Sequence, residues 1–355
     1  MSPAGDFSQE LGRRVAQAAA EKTPLRVVGS GSKDFIGRAV EGSPVSVSEH
    51  RGIVNYQPKE LVLTARTGTP IRQIESELAA QGQMLPFEPP HFGAAATLGG
   101  TIACGLSGPR RPYSGSARDY VLGARIVNGR GEILRFGGEV MKNVAGYDLS
   151  RLMVGAMGSL GVLLEVSMKV LPVAQQEVTL VQERRPADAI AIMNRWAGQP
   201  LPVSAACYDG LRVYVRLSGT PGALQAARVL IGGDLLEQGG AFWEAVREQR
   251  HSFFDSALPL WRLSLPPATP PLELPGKEFI DWGGAQRWRL TDIQPEVVRR
   301  VAEQAGGHAS LFCRGDRRGD VYHPLSAPIK VLHGNLKRAL DPQGILNPGR
   351  LYADL

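Results

Sequence analysis

The chain has few cysteines, no long apolar run and no block of like charge. Cys104, Cys207 and Cys313 lie far apart in its 355 residues, with no C-x-x-C pair and no histidine at ligand spacing. This excludes an encoded zinc site or iron–sulfur cluster and points to a reducing compartment. No apolar stretch reaches the roughly 18 residues that span a bilayer. The segment MSPAGDFSQELGRR has no apolar signal-peptide core, so a cytoplasmic protein is expected. The net charge of +6 comes from scattered Lys and Arg, and such scatter argues against a nucleic-acid-binding face. The six histidines are also dispersed, and no metal site is expected from them.

Glycine and small residues stand out instead. Phe87 to Arg118 reads FEPPHFGAAATLGGTIACGLSGPRRPYSGSAR, without a charge between Phe92 and Pro109. Gly99, Gly100, Gly105 and Gly108 let backbone approach a ligand closely, and Thr97 occupies the N-cap position of a helix starting at Leu98. A phosphate-bearing ligand is the first candidate. A second glycine turn, Gly29, Ser30, Gly31 and Ser32, follows the strand Leu25 to Val28. A Rossmann fingerprint needs glycine or alanine three places after Gly31, where Asp34 stands, so that motif is excluded.

Taken in order, the pattern predicts a helix from Ser8 to Lys22, strands within 45–67, and a helix from Ile71 closed by Gly82. DYVLGARIVNGRGEILRF predicts a hairpin turning at Asn128 to Gly131. MKNVAGYDLSRLMVGAMGSLGVLLEV places Lys142, Asn143, Tyr147 and Asp148 before a helix, with glycines at 155, 158 and 161. Beyond Pro172, the order strand, helix, strand, strand, helix resembles a ferredoxin-like unit. The proline-rich stretch 258–277 reads as a connector, and EFIDWGGAQRWRL as one bent strand. A final helix ends at Asp341 and Pro342, followed by a turn at Asn347 to Gly349.

The glycine turn, ATLGGTIACGLSG, KNVAGYDLSRL, GSLGVLLEV and DPQGILNPGR together resemble the FAD-binding fold of the vanillyl-alcohol oxidase and p-cresol methylhydroxylase (PCMH) type. Within it, the wording LSGPRRPYSGSARDYVLG and MKNVAGYDLSRLM is similar to the FAD-binding E subunits of glycolate oxidase. The resemblance implies an α+β protein: a two-subdomain PCMH-type FAD-binding domain over 1–172, a smaller ferredoxin-like cap over 173–325, and a tail, 326–355, returning to the flavin domain.

It also implies roles for residues. Gly29, Ser30, Gly31 and Ser32, with Thr97, Leu98, Gly99 and Gly100, would hold the FAD pyrophosphate by backbone amides. Cys104, Gly105, Ser107 and Gly108 would run along the ribityl and isoalloxazine side. Gly161 and Val162 would meet the cofactor by main-chain contact, and Asn347 would approach the flavin ring. Pro89 and Tyr147 are further lining candidates. Lys33 stands where a tethering histidine could occur, so the FAD is expected to be non-covalent.

The function implied is the FAD subunit of a glycolate oxidase, turning glycolate into glyoxylate and passing electrons to iron–sulfur centres. Its partners would be a paralogous catalytic D subunit and an iron–sulfur F subunit, with any membrane contact made through them. Self-contained relatives carry a clustered histidine stretch where this chain has FCRGDRRGDVYHPL. No catalytic residue is therefore assigned, and Arg110, Arg111 and Arg118 are read as an exposed basic face. A stand-alone flavin dehydrogenase and a non-catalytic scaffold are the alternatives.

Overall fold

The computed structural model describes residues 5–138 and 148–355. The first helix, α1 (Ser8–Glu21), buries Leu11, Val15 and Ala18 on one stripe and ends at Lys22, which adopts a left-handed conformation. Then come β1 (Leu25–Val28) and β2 (Ser43–Ser46), paired in parallel. A five-stranded antiparallel sheet follows. Its strands are β3 (Ile53–Gln57), β4 (Val62–Arg66), β5 (Val121–Val127), β6 (Ile133–Gly137) and β7 (Val162–Lys169), in spatial order β3-β4-β7-β5-β6.

The central strand β7 is buried along nearly its whole length because both faces are covered. Leu163 faces the core formed with α2 (Ile71–Ala79) and α3 (Leu98–Cys104), where Ile74, Leu78, Leu98 and Ile102 are fully buried. Val162 and Leu164 face α1 and the chain's C-terminal segment. The five-stranded sheet is thus a sandwich filling.

The second unit is one eight-stranded antiparallel sheet, wider than the ferredoxin-like unit read from sequence. Its strands are β8 (Gln176–Glu183), β9 (Val203–Tyr208), β10 (Arg212–Gly219), β11 (Asp234–Leu235), β12 (Leu260–Ser264), β13 (Lys277–Asp281), β14 (Gln286–Leu290) and β15 (His308–Cys313). They lie in the order β11-β8-β10-β9-β13-β14-β12-β15. Helices α4 (Pro186–Ala197) and α5 (Pro221–Ile231) share one apolar cluster with the first strands. Helices α6 (Gly239–Arg247) and α7 (Pro295–Gln304) serve two further clusters.

Two features differ from the sequence reading. The proline-rich stretch contains β12, which pairs with both β14 and β15; its prolines flank the strand, with Pro259 just before it and the rest from Pro266 onward. The bent strand is a hairpin, because Trp282, Gly283 and Gly284 all have positive φ and reverse the chain. After α8 (Ala327–Leu340), the tail returns as Leu346 bridges Leu25 beside β1.

The two units are joined by buried charge. The Glu88 carboxylate accepts from Arg110 Nε at 3.2 Å and from Arg216 Nη2 at 2.9 Å; Arg110 also pairs with Glu177. Although burial works against its charge, Glu88 and Glu177 hold the Arg110 pKa above its ordinary value. Arg110 is 8% exposed, so it is no part of a basic surface; Arg111 and Arg118 are exposed. Glu88→Ala should lower unfolding free energy by about 3 kcal/mol, since it strands buried guanidinium groups. Denaturant melts would show the loss, and a smaller one for Glu177→Ala, whose side chain is 39% exposed.

Candidate functional site

Two adjoining cavities of about 560 and 390 Å³ form one groove between β1, α3 and the returning tail. The groove begins at the turn after β1. The backbone N–H groups of Ser30, Gly31 and Lys33 donate to no acceptor among the described residues, leaving a small nest of free donors suited to an anion. Arg26, Lys33 and Arg350 line the same end against one carboxylate, Asp34. The excess of cations favours a phosphate-bearing ligand.

Opposite this turn stands the start of α3. Thr97 is extended, and its hydroxyl accepts from Gly100 N–H at 3.2 Å, the cap expected from sequence. The two glycine runs touch here, because a Cβ on Gly29 would lie 2.6 Å from Thr97 Oγ1. The Leu98 and Gly99 amides donate to Thr69 O and Thr67 O at 2.9 and 2.8 Å. They are unavailable to a pyrophosphate, contrary to expectation. The α3 run supplies a smooth wall, and the free amides come from the first turn.

The far wall is tied by Asn347. Its Oδ1 accepts from Val27 N–H at 2.8 Å, and its Nδ2 donates to Met157 O at 2.6 Å. Gly158 sits in a left-handed conformation, where a Cβ would meet Asn347 Nδ2 at 2.7 Å. Asn347 lines the groove as its clamp, with its carbonyl oxygen and one amide hydrogen committed. It is a structural closure as well as a lining residue. Lys33 donates from Nζ to His91 O at 3.0 Å, and the Cys104 thiol is pushed up to about 11 by burial.

The structure brings Gly29, Ser30, Gly31, Ser32, Thr97, Gly99, Gly100, Cys104, Gly161 and Asn347 to this groove. Leu98 and Val162 are not in its lining; both side chains are fully buried in the core, because strand and helix periodicity turns them inward. Gly105 closes α3 in a left-handed conformation and packs against Gly155. Pro89 is buried beside the lining, and its neighbour Pro90 reaches a second pocket between the units. Tyr147, with Lys142 and Asn143, lies outside the described residues.

Beyond the C-terminal end of α3, Ser107 and Gly108 line a separate pocket of about 350 Å³ between the units. Its other walls include Arg247, Arg262, Asp281, Gln286 and Trp288, none of which the sequence reading singled out. Trp282 Nε1 donates to Gly108 O at 3.0 Å and pins the β13–β14 hairpin here. Burial pushes the Asp281 carboxyl up to about 7, despite hydrogen bonds from Trp282 N–H and Gln286 and the charge of Arg262; Glu88 adds to the rise. The only local sign of this pocket was the aspartate before Trp-Gly-Gly, and its burial depends on long-range packing.

Residues 8–137 match the family described as FAD binding domain. The chain is 53% identical over 350 residues to glycolate oxidase subunit GlcE of Escherichia coli (strain K12), covering 99% of each. The chain belongs to the GlcE family. It is also 31% identical over 186 residues to glycolate oxidase subunit GlcD of Bacillus subtilis (strain 168), covering 52% of this chain and 39% of that protein. Its fold is that of p-cresol methylhydroxylase with substrate bound, at TM-score 0.72 and 15% identity, covering 98% and 87% of the two chains. The GlcE-family chain is thus an α+β flavoprotein of the PCMH type.

Two outcomes are expected. Asn347→Ala leaves Val27 N–H and Met157 O unpaired and should cost about 2–4 kcal/mol, with flavin content falling alongside the melting temperature. For Asp281 the folded-state pKa is raised, so the folded protein holds a proton that the unfolded chain releases between about pH 4 and 7. Stability from this group is present at low pH and lost as pH rises through 7. Asp281→Asn should therefore stabilise the protein at pH 8, by at most about 4 kcal/mol, and the gain over wild type should vanish toward pH 4.

Proposed function

We propose that this chain is the FAD-binding subunit of a glycolate oxidase that converts glycolate to glyoxylate and passes the electrons onward. The observation that carries the reading is the groove itself. Free amides at Ser30, Gly31 and Lys33 face a cationic end, and the glycine backbone at 29 and 158 packs so closely on Thr97 and Asn347 that a Cβ would collide with them. These residues fit a dinucleotide pyrophosphate.

In this reading the amides of residues 30, 31 and 33 hold the pyrophosphate, and Gly100, Ala103 and Gly161 give the cofactor a flat wall. Bound FAD supplies hydride acceptance and one-electron release. Attachment is non-covalent. The Cys104 thiol stays protonated near neutral pH, and Lys33 is engaged with a backbone carbonyl. The partners are a paralogous D subunit, likeness to which supports a shared ancestry of the flavin domains, and an iron–sulfur F subunit that receives electrons. No helix among the described residues is long and apolar enough to cross a membrane. Residence in the cytoplasm, or on the inner membrane face through those partners, accords with that.

Purified protein should be yellow, and acid denaturation should release all flavin into the supernatant. Gly29→Ala, whose new methyl would push the turn off Thr97, should weaken FAD retention about tenfold or more, an effect of about 1.4 kcal/mol. A colourless chain that cannot take up FAD would overturn the reading.

A further inference from the structure

The interdomain pocket holds a set of polar groups that the cofactor groove does not use. Arg262 Nε donates to Gln286 Oε1 at 2.6 Å, and Gln286 Nε2 donates to Asp281 Oδ2 at 3.3 Å. Gln286 thus fixes an acid and a base on either side of itself. An ion pair built for stability would join Arg262 and Asp281 directly, yet none forms between them. The guanidinium of Arg262 lies 5.1 Å from the Trp282 ring, and its two terminal nitrogens donate to no acceptor among the described residues. Arg247 likewise uses only Nε, toward Glu248 at 2.8 Å. Two guanidinium forks with spare donors therefore border one small pocket with a buried carboxyl.

The placement matters as much as the chemistry. The pocket is walled by Ser107 and Gly108, which continue directly from α3, the wall of the cofactor groove. Trp282 bonds Gly108 O and so sets the hairpin that carries Asp281 and Gln286 against this segment. Apolar side chains, Phe92, Trp288 and Phe312 among them, shield the remaining wall. A site with spare bidentate cations, one buried acid and about 350 Å³ fits a small anion carrying a second polar group.

We propose that this pocket binds a small 2-hydroxy carboxylate, with Arg262 and Arg247 holding its carboxylate and Asp281 accepting its hydroxyl proton. The binding part stands on this pocket alone; the proton-accepting part rests on the flavin reading above. In that step Asp281 takes the proton as the hydroxyl O–H bond breaks. With FAD bound, the flavin would accept the hydride of the adjacent C–H bond with its electron pair, and the carbon would become the carbonyl of a 2-oxo acid. A carboxyl held near neutrality suits this exchange, since it can be ionised before the step and protonated after it. This would give the chain a substrate site without the histidine cluster of its self-contained relatives.

The test is titration of the purified full chain with glycolate, read by tryptophan fluorescence and by calorimetry, with flavin content measured separately. Saturable glycolate binding is expected, and acetate, lacking the hydroxyl, should bind about tenfold more weakly. Arg262→Gln should weaken glycolate about tenfold or more, and Arg262→Lys less. Arg247→Gln, at a partly exposed side chain, gives a second reading should Arg262→Gln fail to fold.

The groups facing Asp281 are Arg262, Glu88, Tyr113, Cys207 and, across the pocket, Arg247. Asp281 is set to titrate near neutrality. Wild-type affinity for glycolate should therefore rise severalfold from pH 8 to pH 6, as the repelling carboxylate is neutralised, and Asp281→Asn should abolish that dependence while keeping binding. A yellow, folded chain that does not bind glycolate overturns the proposal and leaves the flavin reading standing. A colourless chain that binds glycolate with these responses overturns the flavin reading and upholds the pocket. Equal affinity in wild type, Arg262→Gln and Arg247→Gln overturns the arginine assignment.

Discussion

The groove depends on one returning contact. Asn347, carried back by the tail, accepts from Val27 and donates to Met157, and so ties β1 to the loop before β7. The tail itself is held by a buried knot. Asp341 accepts from Ile345 and Leu346 N–H and pairs with Lys337, whose ammonium also reaches Ser159 O and Leu346 O. A buried charge with that many partners has one favourable arrangement, because any other leaves polar atoms without water or protein. The far end of the chain thereby fixes the wall of a site that starts at residue 26.

A second constraint sets the junction of the units. Glu88, at φ +44, receives guanidinium groups from Arg110 in its own unit and Arg216 in the other. Apolar contact would allow the two units to slide, since dispersion has no direction. Charged hydrogen bonds have angles and distances to satisfy, so they select one docking pose. Glu248 adds to this by accepting from His91 and Phe92 N–H. The result is a rigid seam with a small pocket in it, at the exit of α3.

Much of the groove was legible because its signals are local. A glycine turn after a β-branched strand and a threonine at a helix start each act within a few residues, and both are found in place. Where the structure differs from the sequence expectation, the cause is a distant hydrogen bond or charge. Leu98 and Gly99 lie in the right run, but their amides are consumed by residues 67 and 69, thirty positions upstream. Val162 neighbours Gly161 of the groove, and strand alternation turns its side chain into the opposite core, which leaves only its main chain for the contact expected of it. Arg110 reads as one of three surface cations until Glu88 and Glu177 are seen around it.

By itself the sequence determined the α+β class, the two glycine runs, the N-cap and the resemblance that names a flavin protein, since these rest on short-range patterning and on motif wording. The tertiary structure alone decided which amides stay free, how Asn347 closes the groove, that residues 260–264 join the second sheet, and that Asp281, Gln286 and Arg262 meet beside Gly108. Free donors, burial and a raised carboxyl pKa are properties of surroundings. Those surroundings come from residues tens to hundreds of positions away, which only the folded chain brings together.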